Sequence, residues 1–186
     1  MSKTAKIKLT KHLTAHARKY YPLLFILYVG IISIIAFPIS FSENAMACFG
    51  GYIACPVICI FLTRTVWKAH KTLKQNFAAL EESGKMEAVL ADFAKAEKAM
   101  GRNLYIGKLA LYGKGSNRVA LYSEMDKIYS VISDRRGQNP RDLKFVDIHG
   151  NDHFICELDP IGQSNIEIEQ LYRLVEKKNP NVKAGQ

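Results

Sequence analysis

His149 and His153 bracket the tripeptide Gly150-Asn151-Asp152, and Asp147 stands two residues ahead of the first histidine. Two imidazoles and a carboxylate so close together can be drawn as a metal site or an acid–base pair. The same residues also make a tight turn, which accounts for Gly-Asn-Asp and leaves no fourth ligand or nucleophile at motif spacing. Gly107 to Lys114 looks like a phosphate loop, but five residues instead of four separate Gly107 from Gly113. Gly115 also takes the position that needs Ser or Thr. Ser123-Glu124 and Cys156-Glu157 have no histidine partner at a readable spacing. Cys48, Cys55 and Cys59 share one face of a helix, where they could bind a soft metal or carry palmitate. No His or Met of the preceding apolar stretch adds a ligand, and packing of small, polarisable side chains explains the three cysteines. The residues thus predict no enzyme, no metal and no cofactor.

The elements around these residues begin with two apolar stretches, 22–41 and 45–63, both free of charge and joined by Ser42-Glu43-Asn44. About 20 apolar helical residues cross a hydrocarbon core of roughly 30 Å, so the pattern predicts a two-helix transmembrane hairpin. Gly30 and the Gly50-Gly51 pair permit close helix approach. The first stretch is too long for a signal-peptide core and a second follows it directly, which argues against cleavage.

Charge placement sets the expected orientation. Lys3, Lys6, Lys8, Lys11, Arg18 and Lys19 precede the first stretch with no acidic residue, and Arg64, Lys68, Lys71, Lys74 and Lys85 follow the second against Glu81 and Glu82. Lys and Arg of short flanks stay on the cytoplasmic side, so the reading is a multi-pass cell-membrane protein with two spans and both termini cytoplasmic. The net charge of +9 resides in these flanks. From residue 86 onward Lys and Arg nearly balance Asp and Glu, which excludes nucleic acid as a partner and points the basic flanks at anionic headgroups.

Residues 67–100 have the 3.6-residue apolar period of amphipathic helix, with Met86, Val89, Leu90, Phe93, Ala96 and Met100 along one face. This linker can form a coiled-coil stalk in a dimer or pack on the domain that follows. Beyond it, short β-rich runs at 104–106, 109–112, 119–122, 127–133, 143–148 and 153–158 alternate with turn sequences, as in an antiparallel meander. A last helix opens with a Ser164/Glu167 capping box and presents Ile168, Leu171, Tyr172 and Val175 on one face. The organisation predicted is a basic N-terminus (1–21), a hairpin (22–66), a helical linker (67–100) and an α+β domain (101–186).

The run 119–129, Val-Ala-Leu-Tyr-Ser-Glu-Met-Asp-Lys-Ile-Tyr, resembles the strand-turn-strand segment of bacterial pleckstrin-homology-like (PH-like) domains. The ending 179–185, Asn-Pro-Asn-Val-Lys-Ala-Gly, is similar to the tail of uncharacterised bacterial membrane-anchored proteins that carry such a domain. The resemblance covers about residues 100–185 and implies a bent antiparallel β-sheet plugged by the C-terminal helix. It carries no full phosphoinositide-binding basic signature. The function predicted is a non-catalytic, membrane-anchored interaction or scaffold module that binds a protein or peptide at the cytoplasmic face. The alternative is a sensor of anionic lipid surfaces using Lys108, Lys114 and Arg118, with Arg135, Arg136 and Arg141 as a second basic cluster. The partners implied are the lipid bilayer, a protein at the cytoplasmic face and, if the stalk pairs, a second copy of the chain.

Overall fold

The computed structural model describes residues 2–36, 45–100, 103–133, 141–158 and 165–185, and the side chains of these except 2, 32–36, 45–55 and 165–166. The chain is α+β and divides into two compact units, one of Met1–Ala15 with Thr72–Gln186 and one of His16–Lys71.

The larger unit is built on two four-stranded sheets. In the first, β1 (Glu97–Ala99), β2 (Leu104–Ile106), β3 (Ala110–Gly113) and β4 (Ala120–Leu121) follow one another as an antiparallel meander. In the second, β5 (Met125–Ile132), β6 (Arg141–Asp147) and β7 (Asp152–Leu158) form another meander, and β8 (Lys183–Ala184) adds to β5 in parallel. The helix α6 (Asn165–Lys178) lies between β7 and β8 in the chain.

Side chains of alternate strand residues point to opposite faces, and β3 uses both faces, since all four of its residues are buried. Leu111 joins a core of Leu104, Ile128, Leu143, Ile155, Leu171 and Val175. Ala110 and Tyr112 face a second core made with Leu9, Leu13, Leu73, Leu80 and Val89. Gly113 sits where a methyl group would overlap the backbone carbonyl of Ile155 on β7, so a residue without Cβ lets the two strands approach.

That second core is helical on its other side. It receives α1 (Ser2–Leu13), the end of α4 (Ala45–Glu82) and α5 (Met86–Lys95). Leu9 and Leu13 of α1 are fully buried. The C-terminal end of α1 is also pinned to the turn after β3, where the Gly115 and Asn117 amides donate to the His12 and Leu13 carbonyls at 3.0 and 3.1 Å. The amphipathic run at 86–100 is helical only to Lys95; Ala96 turns extended and residues 97–99 pair with β2 as the edge strand.

A single turn, α2 (Ala15–Arg18), follows α1 in the chain, and in the smaller unit α3 (Tyr21–Ala36) runs antiparallel to the first part of α4, with Tyr21 hydrogen-bonded to His70 and the Tyr28 hydroxyl 3.3 Å from that of Thr63. Among the described residues no helix is long and apolar enough to cross a membrane. The helix α3 has 16 residues, about 24 Å at 1.5 Å per residue. From Arg64 onward α4 is charged at Arg64, Lys68, Lys71 and Lys74. The predicted transmembrane hairpin and the two-span cell-membrane localisation with cytoplasmic termini are therefore corrected; residues 42–44, the predicted connection, lie outside the described residues.

Candidate functional site: an apolar groove rimmed by lysines

Five parts of the chain surround an open groove of about 720 Å³: the start of α5, the β2–β3 turn, the 3₁₀ turn Tyr122–Glu124 with the start of β5, the β6–β7 turn at Ile148, and the end of α6 with the segment after it. Its apolar surface includes Leu109 and Ile148, which are 45% and 60% exposed. Lys85, Lys108 and Lys178 line it, against the single carboxylate of Asp126. A second groove of about 540 Å³ continues from the first, sharing Ala88, Lys108, Leu109 and Lys178 and adding Lys95, Glu97 and Leu174.

Each wall is fixed from behind. Asp92, 8% exposed near the end of α5, accepts hydrogen bonds from the backbone amides of Lys108 (2.7 Å) and Leu109 (3.1 Å) and from the Tyr112 hydroxyl (2.8 Å). The β2–β3 turn is thereby held in place, and Gly107 lies so close to the Asp92 carboxylate that a Cβ would overlap it. Burial and the neighbouring Asp92 push the Tyr112 phenol well above its ordinary range, so it stays a donor. The Tyr122 hydroxyl closes the other side of the turn by donating to the Gly107 carbonyl at 3.1 Å.

Asn179 terminates α6 and donates through Nδ2 to the carbonyls of Tyr122 (2.7 Å) and Met125 (3.3 Å), which places Lys178 beside the groove. Ile148 is set by a bond from its amide to the Glu124 carbonyl at 3.0 Å. It also begins the turn that Asp147 holds, where Oδ1 accepts the amides of His149 and Asn151, each at 2.9 Å. Such side-chain to backbone bonds are what Asp supplies at turns.

The structure therefore brings Asp147 and His153 together but leaves His149 exposed on the turn. His153 Nε2 lies 2.8 Å from Asp147 Oδ2 and 2.9 Å from Arg118 Nη1. Burial alone would raise the Asp147 carboxyl. Hydrogen bonds from His153, from the Asn151 backbone and side chain and from the His149 backbone outweigh burial and hold it well below the usual carboxylate range. Among the described residues no group of three or more His, Cys, Asp or Glu is placed to hold a metal ion. Cys156 is fully buried, and burial followed by the Asp142 and Glu157 charges pushes its thiol up to about 12, so it stays protonated.

The predicted lipid-binding cations part company. Lys108 is on the groove and Lys114 is exposed in the turn after β3. Arg118 turns inward, with Nη1 3.8 Å from Asp147 Oδ2, Nη2 3.6 Å from Glu124 and the guanidinium 6.0 Å above the Phe145 ring. Arg135 and Arg136 lie outside the described residues. Lys85 read only as part of the basic flank after the second apolar stretch and Lys178 carries no motif; they come from distant parts of the chain, so no local signal brought them together. Ile148, an apolar residue at the start of a polar turn, was the one visible hint. No family model, curated protein or solved structure matches this chain.

Proposed function

We propose that the chain is a non-catalytic interaction module that holds a segment of a protein partner in the groove beside Leu109 and Ile148. The observation that carries this is an apolar floor left open to solvent while the side chains behind it are bonded internally. Exposed contiguous apolar surface rimmed by polar groups marks interaction sites, and a frame fixed before binding lowers the entropy cost of association. The architecture is read as PH-like. Two successive antiparallel meanders and a helix near the C-terminus, whose Leu171 and Val175 enter the strand core, support that reading. A reader of anionic lipid surfaces is less well supported, because Arg118 is committed to Glu124 and Asp147.

The test is a photo-crosslinking amino acid placed at Ile148 in the full chain, with a second placed at exposed Glu176 as control. Discrete protein adducts at position 148, absent from the control and lost when Leu109→Asp is added, are the expected outcome. Adducts indistinguishable between the two positions would count against a groove partner.

A further inference from the structure

We infer that the segment this groove takes is acidic, with apolar side chains between its carboxylates; the inference rests on the groove being a partner site. The larger cavity presents three ammonium groups, Lys85, Lys108 and Lys178, against Asp126 alone. Among the described residues none of the three is ion-paired within the chain. In the continuing cavity Lys95 joins Lys108 and Lys178, and Asp92 there is already occupied by two amides and a phenol. Of the carboxylates lining the two cavities, Asp126 and Glu97 remain, so cations outnumber available anions along the whole track. Like charges gathered round an apolar floor favour a ligand that brings the opposite sign, and complementary potential sets which partner is admitted.

The floor decides between a bare anion and a peptide. Leu109 belongs to both cavities and Ile148 to the first, so the same track that attracts carboxylates has apolar surface to cover. A free anion would leave that surface wet. Lys108, Leu109 and Lys178 are shared by the two cavities, and a ligand using both must cross that ridge, as an extended segment of several residues does. The cations are lysines, point charges with no planar fork, which suits single carboxylates spaced along a chain. Lys108 is also the best-placed of them, since Asp92 holds its backbone amide at 2.7 Å.

The full 186-residue chain is titrated by fluorescence anisotropy into three labelled peptides of equal length, alternating Leu with Glu, with Ser or with Lys. The Leu/Glu peptide should bind tightest and weaken by about tenfold in K108E/K178E and again as salt is raised. The same double variant should gain affinity for the Leu/Lys peptide, and its unfolding midpoint should match the parent chain. Equal binding of the Leu/Ser and Leu/Glu peptides, unchanged by K108E/K178E but lost in L109D, would overturn the acidic preference and leave the groove reading standing. Failure of all three peptides to bind, with anionic phosphatidylglycerol vesicles bound instead through Lys108 and Lys178, would overturn both in favour of a lipid surface.

Discussion

Tyr112 on β3 donates its hydroxyl proton to Asp92 on α5 at 2.8 Å, and the same hydroxyl lies 3.1 Å from the Val89 carbonyl. The bond ties the helical layer to the sheet behind the groove, and the carboxylate that accepts it also takes the Lys108 and Leu109 amides. Tyr112→Phe keeps the ring and removes one donor, at a cost of about 1 kcal/mol. Asp92→Ala removes three hydrogen bonds instead of one, those of the Lys108 and Leu109 amides and of the phenol, and should cost about 3 kcal/mol. Urea unfolding of the two variants checks the order; equal losses would mean that Asp92 does not organise the turn.

The N-terminal helix belongs to the fold. Leu9 and Leu13 are fully buried against Leu73, Val89 and Tyr112. Leu13→Ala should cost about 2–5 kcal/mol, as large-to-small changes at core positions do, and Leu171→Ala on α6 a comparable amount. A change at Leu13 that leaves the unfolding midpoint unmoved would show α1 to be undocked in solution.

His12 makes that docking pH-dependent. Burial lowers its pKa, the hydrogen bond to the Tyr112 carbonyl at 2.9 Å opposes the shift, and the Lys114 charge adds to it. The unfolded chain, with histidine near its ordinary value of about 6.5, then binds the extra proton more readily than the folded one. Stability is full above that value and falls as pH drops through it. His12→Gln should flatten the loss measured between pH 7.5 and pH 5.5 by denaturant titration. An unchanged slope would place the titration elsewhere.

Asp147 acts at lower pH. Its carboxyl is held below the usual range, so the carboxylate stabilises the fold above the unfolded value of about 3.9, and this contribution is lost as pH falls below it. Asp147→Asn should lower stability at neutral pH and weaken the acid dependence below about pH 4. The near-ultraviolet signal followed through an acid titration reports it. Parallel acid curves for the two proteins would sink the assignment.

Local pattern carried far in the β region and the last helix. The run at 104–106 is β2 itself, and those at 109–112, 143–148 and 153–158 differ from β3, β6 and β7 by a residue or two at their ends. The face of Ile168, Leu171 and Val175 is buried, with Tyr172 half-buried beside it. These succeeded because alternation and helical period are imposed by a neighbouring core on consecutive residues. Residues 97–99 read as helix because their apolar spacing continued that of α5, and only pairing with β2 made them a strand.

The placement of α1 was hidden for a different reason. Lys3, Lys6, Lys8 and Lys11 dominate its composition and look like a flank to an apolar stretch, while the two leucines that anchor it have their partners 60 or more residues away. Likewise 22–41 and 45–63 met a compositional rule for spans that the described helices do not meet. The amino-acid sequence by itself determined which residues could form strands, turns and amphipathic helices, since those are local balances of side-chain shape and polarity. Tertiary structure alone decided that Asp92 fixes the turn of Lys108, that Arg118 faces inward and that Lys85, Lys108 and Lys178 surround one groove. Such groupings arise from the approach of segments far apart in the chain, and no spacing along it encodes that distance.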